Sequence, residues 1–354
     1  MDWPNHMVFT RCIAPDGSVI AELPPLVRES DRLTDLFRAM ARTRIFDRRA
    51  VELQRTGQLG TYASSLGQEA VAVGIGAAME AGDVLLPSFR EHGAQLLRGV
   101  TMFELLRFWG GDERGSDFAG PREDFPVSIP IGSHAPQAAG VAFAMKLRGG
   151  GRAAVCALGD GATSKGDFYE AINMAGVWQL PVLFVVTNNQ WAISMPRARQ
   201  TAAETIAQKA VAAGFEGRQV DGNDVVAVTH EVEEALRKAR TGGGPTLIEA
   251  VTFRLADHTT ADDASRYRDE SQVAEHWKTE PLIRLRRYLT DRGDWSRERE
   301  ESFQAECSAE MDDAVSSYLA DPPQRISSIF DFMYEELPHD LAAQRATIVE
   351  NDNG

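Results

Sequence analysis

The sequence predicts an α/β protein whose parallel sheet is covered by helices on both faces. Short apolar runs, such as residues 84–86 and 182–186, alternate with segments whose apolar residues recur at helical spacing. This is the pattern of repeated strand–helix–strand units. The apolar run 153–158 ends at Gly159, as expected of a buried parallel strand whose carboxyl end opens into a ligand crevice. We therefore expect this strand to lead directly into the functional site.

Before residue 150 the sequence predicts an arm, three helices, a strand and a loop. The arm turns at Pro15-Asp16-Gly17, because such residues favour tight turns. The polar, glycine-rich segment 112–124 is predicted to be a mobile loop, with a gating segment and a solvated surface turn as open alternatives. In chain order the elements are the arm to about residue 27, helix 32–56, helix 67–80, strand 84–86, loop 112–124 and helix 136–147.

The second half continues the alternation and then becomes helical. In the helix after Gly159, Phe168, Ile172, Ala175 and Trp178 recur near helical spacing and predict its buried face. Charged helical segments beyond Tyr267 are expected at the periphery or against a partner. The remaining predicted elements are strand 182–186, helix 202–213, helix 225–240, strand 246–253 and helical segments at 273–276 and 282–289.

Composition excludes several classes of protein. The 354-residue chain carries a net charge of −15, which disfavours nucleic acid or anionic membrane as a partner, because those surfaces require a basic stripe. Its three cysteines, Cys12, Cys156 and Cys307, lie far apart, which argues against a disulfide framework and for a reducing compartment. No 18-residue apolar run and no secretory leader pattern is visible. A cytoplasmic location is expected if the source is bacterial.

Two polar turns are predicted to meet at the carboxyl ends of neighbouring strands. Asp160 lies in a Gly-Asp-Gly turn after one strand, and Asn189 follows the next strand 29 residues later. Because a strand–helix–strand unit joins them, both side chains can converge on one point. A carboxylate, an amide oxygen and the Trp191 carbonyl would suit Mg²⁺, with diphosphate oxygens completing its coordination. The N–H groups of Gly161 and Ala162, expected at the start of the helix, would face the same anion.

Simpler interpretations exist for each of these turns. Asp160 could be a helix cap, and Asn188 with Asn189 could form an ordinary turn. The spacing between the turns, and the Trp-Ala-Ile-Ser segment that follows the asparagines, favour a metal and diphosphate site.

The combined segment resembles the thiamine diphosphate fold motif. More narrowly, residues 159–194 are similar to the alpha subunit of E1, the decarboxylating component of 2-oxo acid dehydrogenase complexes. The similarity covers roughly residues 9–344, with further matching segments at 67–70, 89–93, 136–140, 220–224 and 258–268. It implies a diphosphate-binding α/β domain, which we place at 31–270, after an N-terminal arm at 1–30 and before a helical extension of the same unit at 271–354.

The resemblance also implies roles for individual residues. Arg90 would grip the diphosphate, and Phe89 stands where relatives carry a tyrosine, so the aromatic hydroxyl is missing. His258 coincides with the family's active-site histidine, which serves cofactor binding and acyl transfer to the lipoyl arm. Arg254 is a further candidate for the same anionic site. Ile129 and Ile131 match positions whose backbone contacts the aminopyrimidine ring.

Three other segments match functional loops of relatives or differ from them. A loop with Ser128, Pro130, Ser133 and His134 matches one that binds potassium in branched-chain relatives, where a glutamine usually occupies the position of His134. Nitrogen is a poor potassium ligand, so we expect no ion here. The family often places a histidine shortly before this loop, and segment 112–124 has none. The threonines of the loop 259–268, which is phosphorylated in mitochondrial relatives, are expected to be unmodified.

The resemblance implies a partner and a reaction. The glutamate that activates thiamine diphosphate belongs to a second domain type that is not found in this sequence, so an E1 beta subunit is implied, in an α2β2 heterotetramer with the cofactor between the subunits. The implied reaction is oxidative decarboxylation of a 2-oxo acid and acyl transfer to a lipoyl group of the E2 acyltransferase. Pyruvate is the expected substrate, and a branched-chain acid such as 3-methyl-2-oxobutanoate is the alternative.

Hypotheses from other classes make different demands on the sequence. A nicotinamide-binding Rossmann enzyme requires a third glycine where Ser164 stands. A transketolase-type enzyme would carry both domain types in one chain. A catalytically silent scaffold would be expected to lose Asp160, Asn189 or His258, and all three are present.

Overall fold

A six-stranded parallel sheet forms the centre of the part of the chain that the computed structural model describes, residues 7–25 and 30–352. Its strands are β1 (Phe9–Thr10), β2 (Val84–Leu86), β3 (Ala154–Gly159), β4 (Val182–Asn188), β7 (Glu216–Asp221) and β8 (Thr246–Val251). Their order across the sheet is β1-β7-β8-β4-β3-β2. A short antiparallel hairpin, β5 (Trp191–Ala192) with β6 (Met195–Pro196), lies outside it.

Helices connect and cover the strands. In chain order they are α1 (Ser30–Arg55), α2 (Glu69–Ala78), α3 (His92–Leu97), α4 (Met102–Trp109), α5 (His134–Arg148), α6 (Gly166–Trp178), α7 (Gln208–Ala212), α8 (Val225–Arg240), α9 (Glu270–Trp277), α10 (Pro281–Arg292), α11 (Arg297–Ala320) and α12 (His339–Asp352). Because successive strand side chains point to opposite faces, Val155 packs with α1, α2 and α8, and Cys156 packs with α5 and α6. The predicted α/β fold with helices on both faces is confirmed.

Strand register decides where the functional segments meet. Gly159, the last residue of β3, pairs with Thr187 of β4, and Asn188 pairs with Val251 of β8. Parallel strands in this register place their carboxyl ends at one edge. The segments that follow β2, β3, β4 and β8 therefore emerge side by side.

Several elements differ from the predictions. Trp178 is not part of the buried face of α6, because its side chain is 44% exposed and rests against Phe143 of α5. The predicted helix 202–213 is reduced to α7. Strand β7 was not predicted, because it lies towards the sheet edge and carries Arg218, which pairs with Glu231 and so interrupts any continuous apolar pattern.

The segment 112–124 is tied to its surroundings. It contains a 3₁₀ turn, Glu113–Ser116, and Asp124 forms a buried ion pair with Arg98. Gly115 lies against the backbone of Phe108, where an added Cβ would approach within 2.3 Å. These contacts restrain the ends and the first turn of this segment, and a gating role remains untested.

The C-terminal helices share the core of the α/β layers. Leu285 and Leu289 of α10 join the apolar cluster of α1 and α8, and Val315 of α11 packs with α4. The boundaries predicted at residues 30 and 270 remain predictions, and residues 1–6 and 26–29 of the predicted arm lie outside the described residues.

All three cysteines are free and buried. Among the described residues, no helix is long and apolar enough to cross a membrane.

Candidate active site

A cavity of about 170 Å³ opens at the carboxyl edge of the sheet. It brings together residues from the ends of β2, β3, β4 and β8 that were singled out separately in the sequence. Those lining it are Phe89, Arg90, Ser128, Ile131, His134, Asp160, Gly161, Ala162, Asn189, Trp191 and His258. Two of the predicted site residues do not line it: Ile129 is 49% exposed outside it, and Arg254 is completely buried and contacts His258.

Asp160 is a buried acid without a cationic partner among the described residues. Its side chain accepts a hydrogen bond from Gln200 Nε2 at 2.9 Å, and the residue is 2% exposed. Burial raises the pKa of this carboxyl to about 6, and the Gln200 hydrogen bond acts in the opposite direction. A buried carboxylate that forms no ion pair among the described residues is well suited to a cation.

Asn189 presents an amide oxygen whose identity is fixed by the backbone. The N–H of Trp191 donates to Asn189 Oδ1 at 3.2 Å, and Asn189 Nδ2 donates to Gln68 Oε1 at 2.9 Å. Because a backbone N–H can only donate, the atom facing it must be the oxygen. Gln190 has φ of 73°, a left-handed conformation that is uncommon for residues other than glycine. This turn thus stores backbone strain of the kind found at functional sites.

Gly161 lets two backbone segments approach closely. A Cβ at this position would lie 2.7 Å from the Cβ of Ala192, so a larger residue would push the Asp160 turn away from β5. The prediction that Gly161 and Ala162 begin the α-helix is wrong. They belong to a 3₁₀ turn, Asp160–Ser164, and α6 begins only at Gly166 because Lys165 is extended, with ψ of 151°.

Two arginines surround His258. Arg90 Nη2 lies 3.2 Å from His258 Nδ1 and donates to the His258 carbonyl at 2.7 Å. Arg254 Nη1 lies 3.3 Å from the same Nδ1. A guanidinium has only donors, so Nδ1 must accept and the proton of the neutral ring is on Nε2. Burial, then the Arg90 and Arg254 charges, lower the His258 pKa to about 4, so the imidazole is neutral at physiological pH.

The same cluster concentrates positive charge. Arg90 is 7% exposed, and burial followed by the charge of Arg254 lowers its pKa to about 10. Neither arginine forms an ion pair with a carboxylate among the described residues. Arg254 instead donates to the Ile193 carbonyl at 2.9 Å and to the Tyr267 hydroxyl at 2.8 Å. Buried cations held by neutral groups favour an anionic ligand.

Sequence reasoning missed the residues that orient this site. Gln68 and Gln200 bond the side chains of Asn189 and Asp160. Tyr267 bonds Arg254, and Asp262 accepts from the backbone N–H of His258 at 2.9 Å. Gln68, Asp262 and Tyr267 lie in segments that match relatives, and that match could have marked them as site residues. Gln200 lies in no such segment, and nothing in its sequence context marks it.

In the loop that contains Ser128, Pro130, Ser133 and His134, the serine hydroxyls form hydrogen bonds within the loop. The Ser128 and Ser133 hydroxyl oxygens are 3.1 Å apart, and Ser133 donates to the Pro130 carbonyl at 2.9 Å. His134 is buried, with Nε2 2.8 Å from the Ala157 carbonyl. These oxygens are thus engaged with one another, and the expectation that no potassium binds stays a prediction.

The fold and the site define a parallel α/β protein whose strand ends place an acid and an amide beside buried cations. The Dehydrogenase E1 component family model matches residues 37–327. The chain is 40% identical to the pyruvate dehydrogenase E1 component subunit alpha of Staphylococcus aureus strain Mu50, covering 99% of this chain and 95% of the relative. It is also 40% identical to the Staphylococcus epidermidis RP62A protein of that name, covering 96% and 92%. The chain belongs to the dehydrogenase E1 component family.

Proposed function

We propose that this chain is the alpha subunit of a pyruvate dehydrogenase E1 component, which decarboxylates pyruvate oxidatively and passes the acyl group to a lipoyl group of E2. The observation that carries this is the convergence of Asp160 and Asn189 beside the Arg90–His258 cluster. The family match and the relatives' names support the same activity. Thiamine diphosphate and Mg²⁺ are the cofactors proposed.

The residues present fit those cofactors. Asp160 is a buried carboxylate that lacks a cationic partner among the described residues, and Asn189 presents an oriented amide oxygen beside it. Carboxylate and amide oxygens are the ligands that Mg²⁺ prefers. The buried cation Arg90, unpaired with acid in the described chain, would match the negative charge of a diphosphate. Gly161 has no side chain, and a Cβ there would lie 2.7 Å from the Cβ of Ala192, so glycine is what allows the backbone of this turn to stay at the cavity and approach an anion.

Each group then has a role. Asp160, Asn189 and the Trp191 carbonyl would hold Mg²⁺, while Gly161, Ala162 and Arg90 would bind the diphosphate. The backbone of Ile129 and Ile131 would contact the aminopyrimidine ring, and Arg254 would add positive charge behind the site. Bound thiamine diphosphate supplies the carbon nucleophile that makes decarboxylation of a 2-oxo acid possible. These site assignments are one proposal, because they depend on the same bound geometry.

His258 would act as a hydrogen-bond donor at the reacting end of the site. Its Nδ1 is occupied by two arginines, so its Nε2–H is the group free to serve a ligand. A neutral imidazole that donates this proton would stabilise negative charge on an acyl oxygen or on a phosphate during acyl transfer.

The assembly is part of the proposal. We propose an E1 beta subunit as partner in an α2β2 heterotetramer, with E2 as the acyl acceptor and a cytoplasmic location. Ile129, Ile131 and Ile193 are 49%, 40% and 56% exposed, and they leave an apolar rim around a cavity that a partner could complete. We further propose that residues 31–270 form the diphosphate-binding domain, that 1–30 form the arm and that 271–354 extend the same unit.

The function is tested by dye-coupled oxidative decarboxylation. The chain is purified alone and together with its beta-type partner, with thiamine diphosphate and Mg²⁺, and assayed with pyruvate, 3-methyl-2-oxobutanoate and 2-oxoglutarate. We expect activity only in the pair, with pyruvate preferred. Preference for 3-methyl-2-oxobutanoate would reassign the subunit to the branched-chain complex. Cofactor binding without activity on any acid would identify a silent scaffold instead.

Phe89 stands where relatives carry a tyrosine, and adding the missing hydroxyl is expected to change the affinity for thiamine diphosphate modestly. Phe89 lies edge-on to His258 with ring centroids 6.0 Å apart and lines the cavity. Phe89→Tyr is expected to tighten thiamine diphosphate binding by roughly 2- to 10-fold, the value of one hydrogen bond. Isothermal titration of the assembled pair measures this affinity, with Phe143→Tyr as the control, because Phe143 of α5 is 38% exposed and does not line the cavity. Unchanged or weaker affinity in Phe89→Tyr would contradict the expected hydrogen bond.

A further inference from the structure

Behind the Asp160 turn, on the side away from the cavity, lies a buried lysine. Lys209 of α7 is 5% exposed, and its Nζ donates to the Thr163 carbonyl at 2.7 Å and to Thr163 Oγ1 at 3.0 Å. Thr163 Oγ1 in turn donates to the Asp160 carbonyl at 2.8 Å. Lys209 thus fixes both the hydroxyl and the carbonyl of the residue that closes the Asp160 turn.

Behind the Asn189 turn lies a buried glutamate. Glu249 of β8 is 1% exposed, and its Oε1 accepts from Asn188 Nδ2 at 2.6 Å. Its Oε2 accepts from the backbone N–H groups of Ile206 and Ala207 at 2.8 and 3.1 Å, and from Gln219 Nε2 at 3.2 Å. One carboxylate therefore joins the asparagine turn to the residues that lead into α7.

These two groups form a continuous connection, which we call the α7 brace: Ile206, Ala207, Lys209 and Glu249. One end holds the turn of Asp160 and the other end holds the strand end next to Asn189. Within the described residues neither Lys209 nor Glu249 forms an ion pair. The lysine is accompanied instead by the Tyr169 ring, 5.2 Å from Nζ.

Burial of these two charged side chains lowers the stability of the fold, so packing alone does not explain why charged residues occupy these positions. Burying a lysine and a glutamate without an opposite charge costs free energy even when hydrogen bonds satisfy them, and apolar residues of similar size often replace buried charges without loss. Apart from the Gln219 contact, the polar contacts made here are directed at two turns or at the segment between them. Charge-assisted hydrogen bonds are the strongest available for fixing backbone position.

We propose that Lys209 and Glu249 are positioning residues that set the separation of Asp160 and Asn189 through the α7 brace. The proposal rests on the proposed function, because those two residues are the proposed Mg²⁺ ligands. Neither brace residue lines the cavity, so both act only through the turns they hold. Octahedral Mg²⁺ tolerates little error in ligand geometry, so loosening either turn should weaken metal binding first.

The test compares Mg²⁺ dependence with intrinsic stability. The chain assembled with its beta-type partner is heated at fixed thiamine diphosphate over a range of Mg²⁺ concentrations. In Lys209→Met and in Glu249→Gln the Mg²⁺ concentration for half-maximal protection is expected to rise about tenfold or more. Activity should recover to within about threefold of wild type at saturating Mg²⁺, and the double variant should be less than additive because both act on one distance.

Thr163→Val removes only the hydroxyl link and serves if Lys209→Met does not fold. Thr163→Val should also raise the Mg²⁺ concentration needed for half-maximal protection. Thr163→Ser keeps the hydroxyl and should show the wild-type Mg²⁺ requirement. The matched controls are Lys146→Met, whose lysine donates to the Trp178 carbonyl at 2.6 Å on the surface, and Glu231→Gln, whose glutamate accepts from Thr10 at 2.8 Å. Both controls should show the wild-type Mg²⁺ requirement.

The outcomes separate this inference from the function it rests on. Wild-type Mg²⁺ requirement in Lys209→Met, Glu249→Gln and Thr163→Val, with protection lost in Asp160→Ala, overturns the brace and leaves the function standing. Lowered activity that excess Mg²⁺ does not restore also overturns it, since that marks a general structural role. Absence of any Mg²⁺-dependent protection in the wild-type pair overturns the proposed function itself.

Discussion

Asp160→Asn is expected to reduce kcat/KM of the assembled enzyme by more than about a hundredfold and to abolish Mg²⁺-dependent protection by thiamine diphosphate. Loss of residues that merely orient metal ligands costs roughly 10- to 100-fold, so loss of a ligand carboxylate should cost more. The asparagine keeps the shape and can still accept from Gln200, which lies 2.9 Å from the carboxylate. The expected defect is therefore in metal binding and not in folding.

The same variant should be more stable than wild type when Mg²⁺ is absent. Burial raises the folded-state pKa of Asp160 from its ordinary value of 3.8 to about 6. A raised carboxyl pKa means that ionisation destabilises the fold, so the penalty grows as pH rises from about 4 to 6 and is fully present above that. Linkage makes this about 3 kcal/mol at pH 7. The substituted asparagine has no charge to bury and should avoid most of that cost.

Thermal unfolding with and without Mg²⁺ and thiamine diphosphate measures both effects. Asp167→Asn is the matched control, because Asp167 is an exposed acid in the first turn of α6 that pairs with Lys165 at 2.8 Å. That variant should keep wild-type protection and activity. If Asp160→Asn retained Mg²⁺-dependent protection, the assignment of Asp160 as a metal ligand would be wrong.

His258→Ala is expected to lower acyl transfer to the lipoyl group by about 10²- to 10⁴-fold, the usual contribution of a positioned proton donor. The imidazole is neutral because burial and the charges of Arg90 and Arg254 lower its pKa to about 4. Its Nδ1 accepts from both arginines, so its removal takes away a donor and also leaves two guanidinium groups without that acceptor. Cofactor affinity should fall as well, because Arg90 loses an anchor.

Two assays separate these contributions. Dye-coupled decarboxylation needs no lipoyl group, whereas the reconstituted E1–E2 reaction does. We expect the larger loss in the reconstituted reaction. His276→Gln is the control histidine, since it stacks on Phe253 at 3.8 Å and does not line the cavity. Equal and small losses in both assays would contradict a role for His258 in acyl transfer.

Much of the fold was predictable because its signal is local. Buried parallel strands such as β3 and β4 need continuous apolar runs, and α8 shows its period within its own sequence. Strand β7 was not predicted because Arg218, which pairs with Glu231 on the following helix, interrupts its apolar pattern. Trp178, the last residue of α6, departs from the predicted buried face because its side chain is 44% exposed and rests against Phe143 of another helix, a contact that the local pattern does not show.

The proposed site was predictable in part for the same reason. Turn residues such as Asp160 and Asn189 lie at strand ends, so their approach follows from topology once the strands are known. The start of α6 was placed too early because the sequence does not show that Lys165 is extended. Gln200 and Lys209 were not found because their partners, Asp160 and Thr163, lie 40 and 46 residues away.

The sequence by itself determined most of the alternation of strands and helices, the fold class, the family and the residue types at the strand ends, since these depend on local pattern and covalent connection. Only the tertiary structure decided which ring nitrogen of His258 is free, how far burial raises the pKa of Asp160, and that Lys209 and Glu249 stand behind the two turns. Tautomer, desolvation and long-range hydrogen bonds depend on groups brought together from distant parts of the chain, and that proximity exists only in the folded protein.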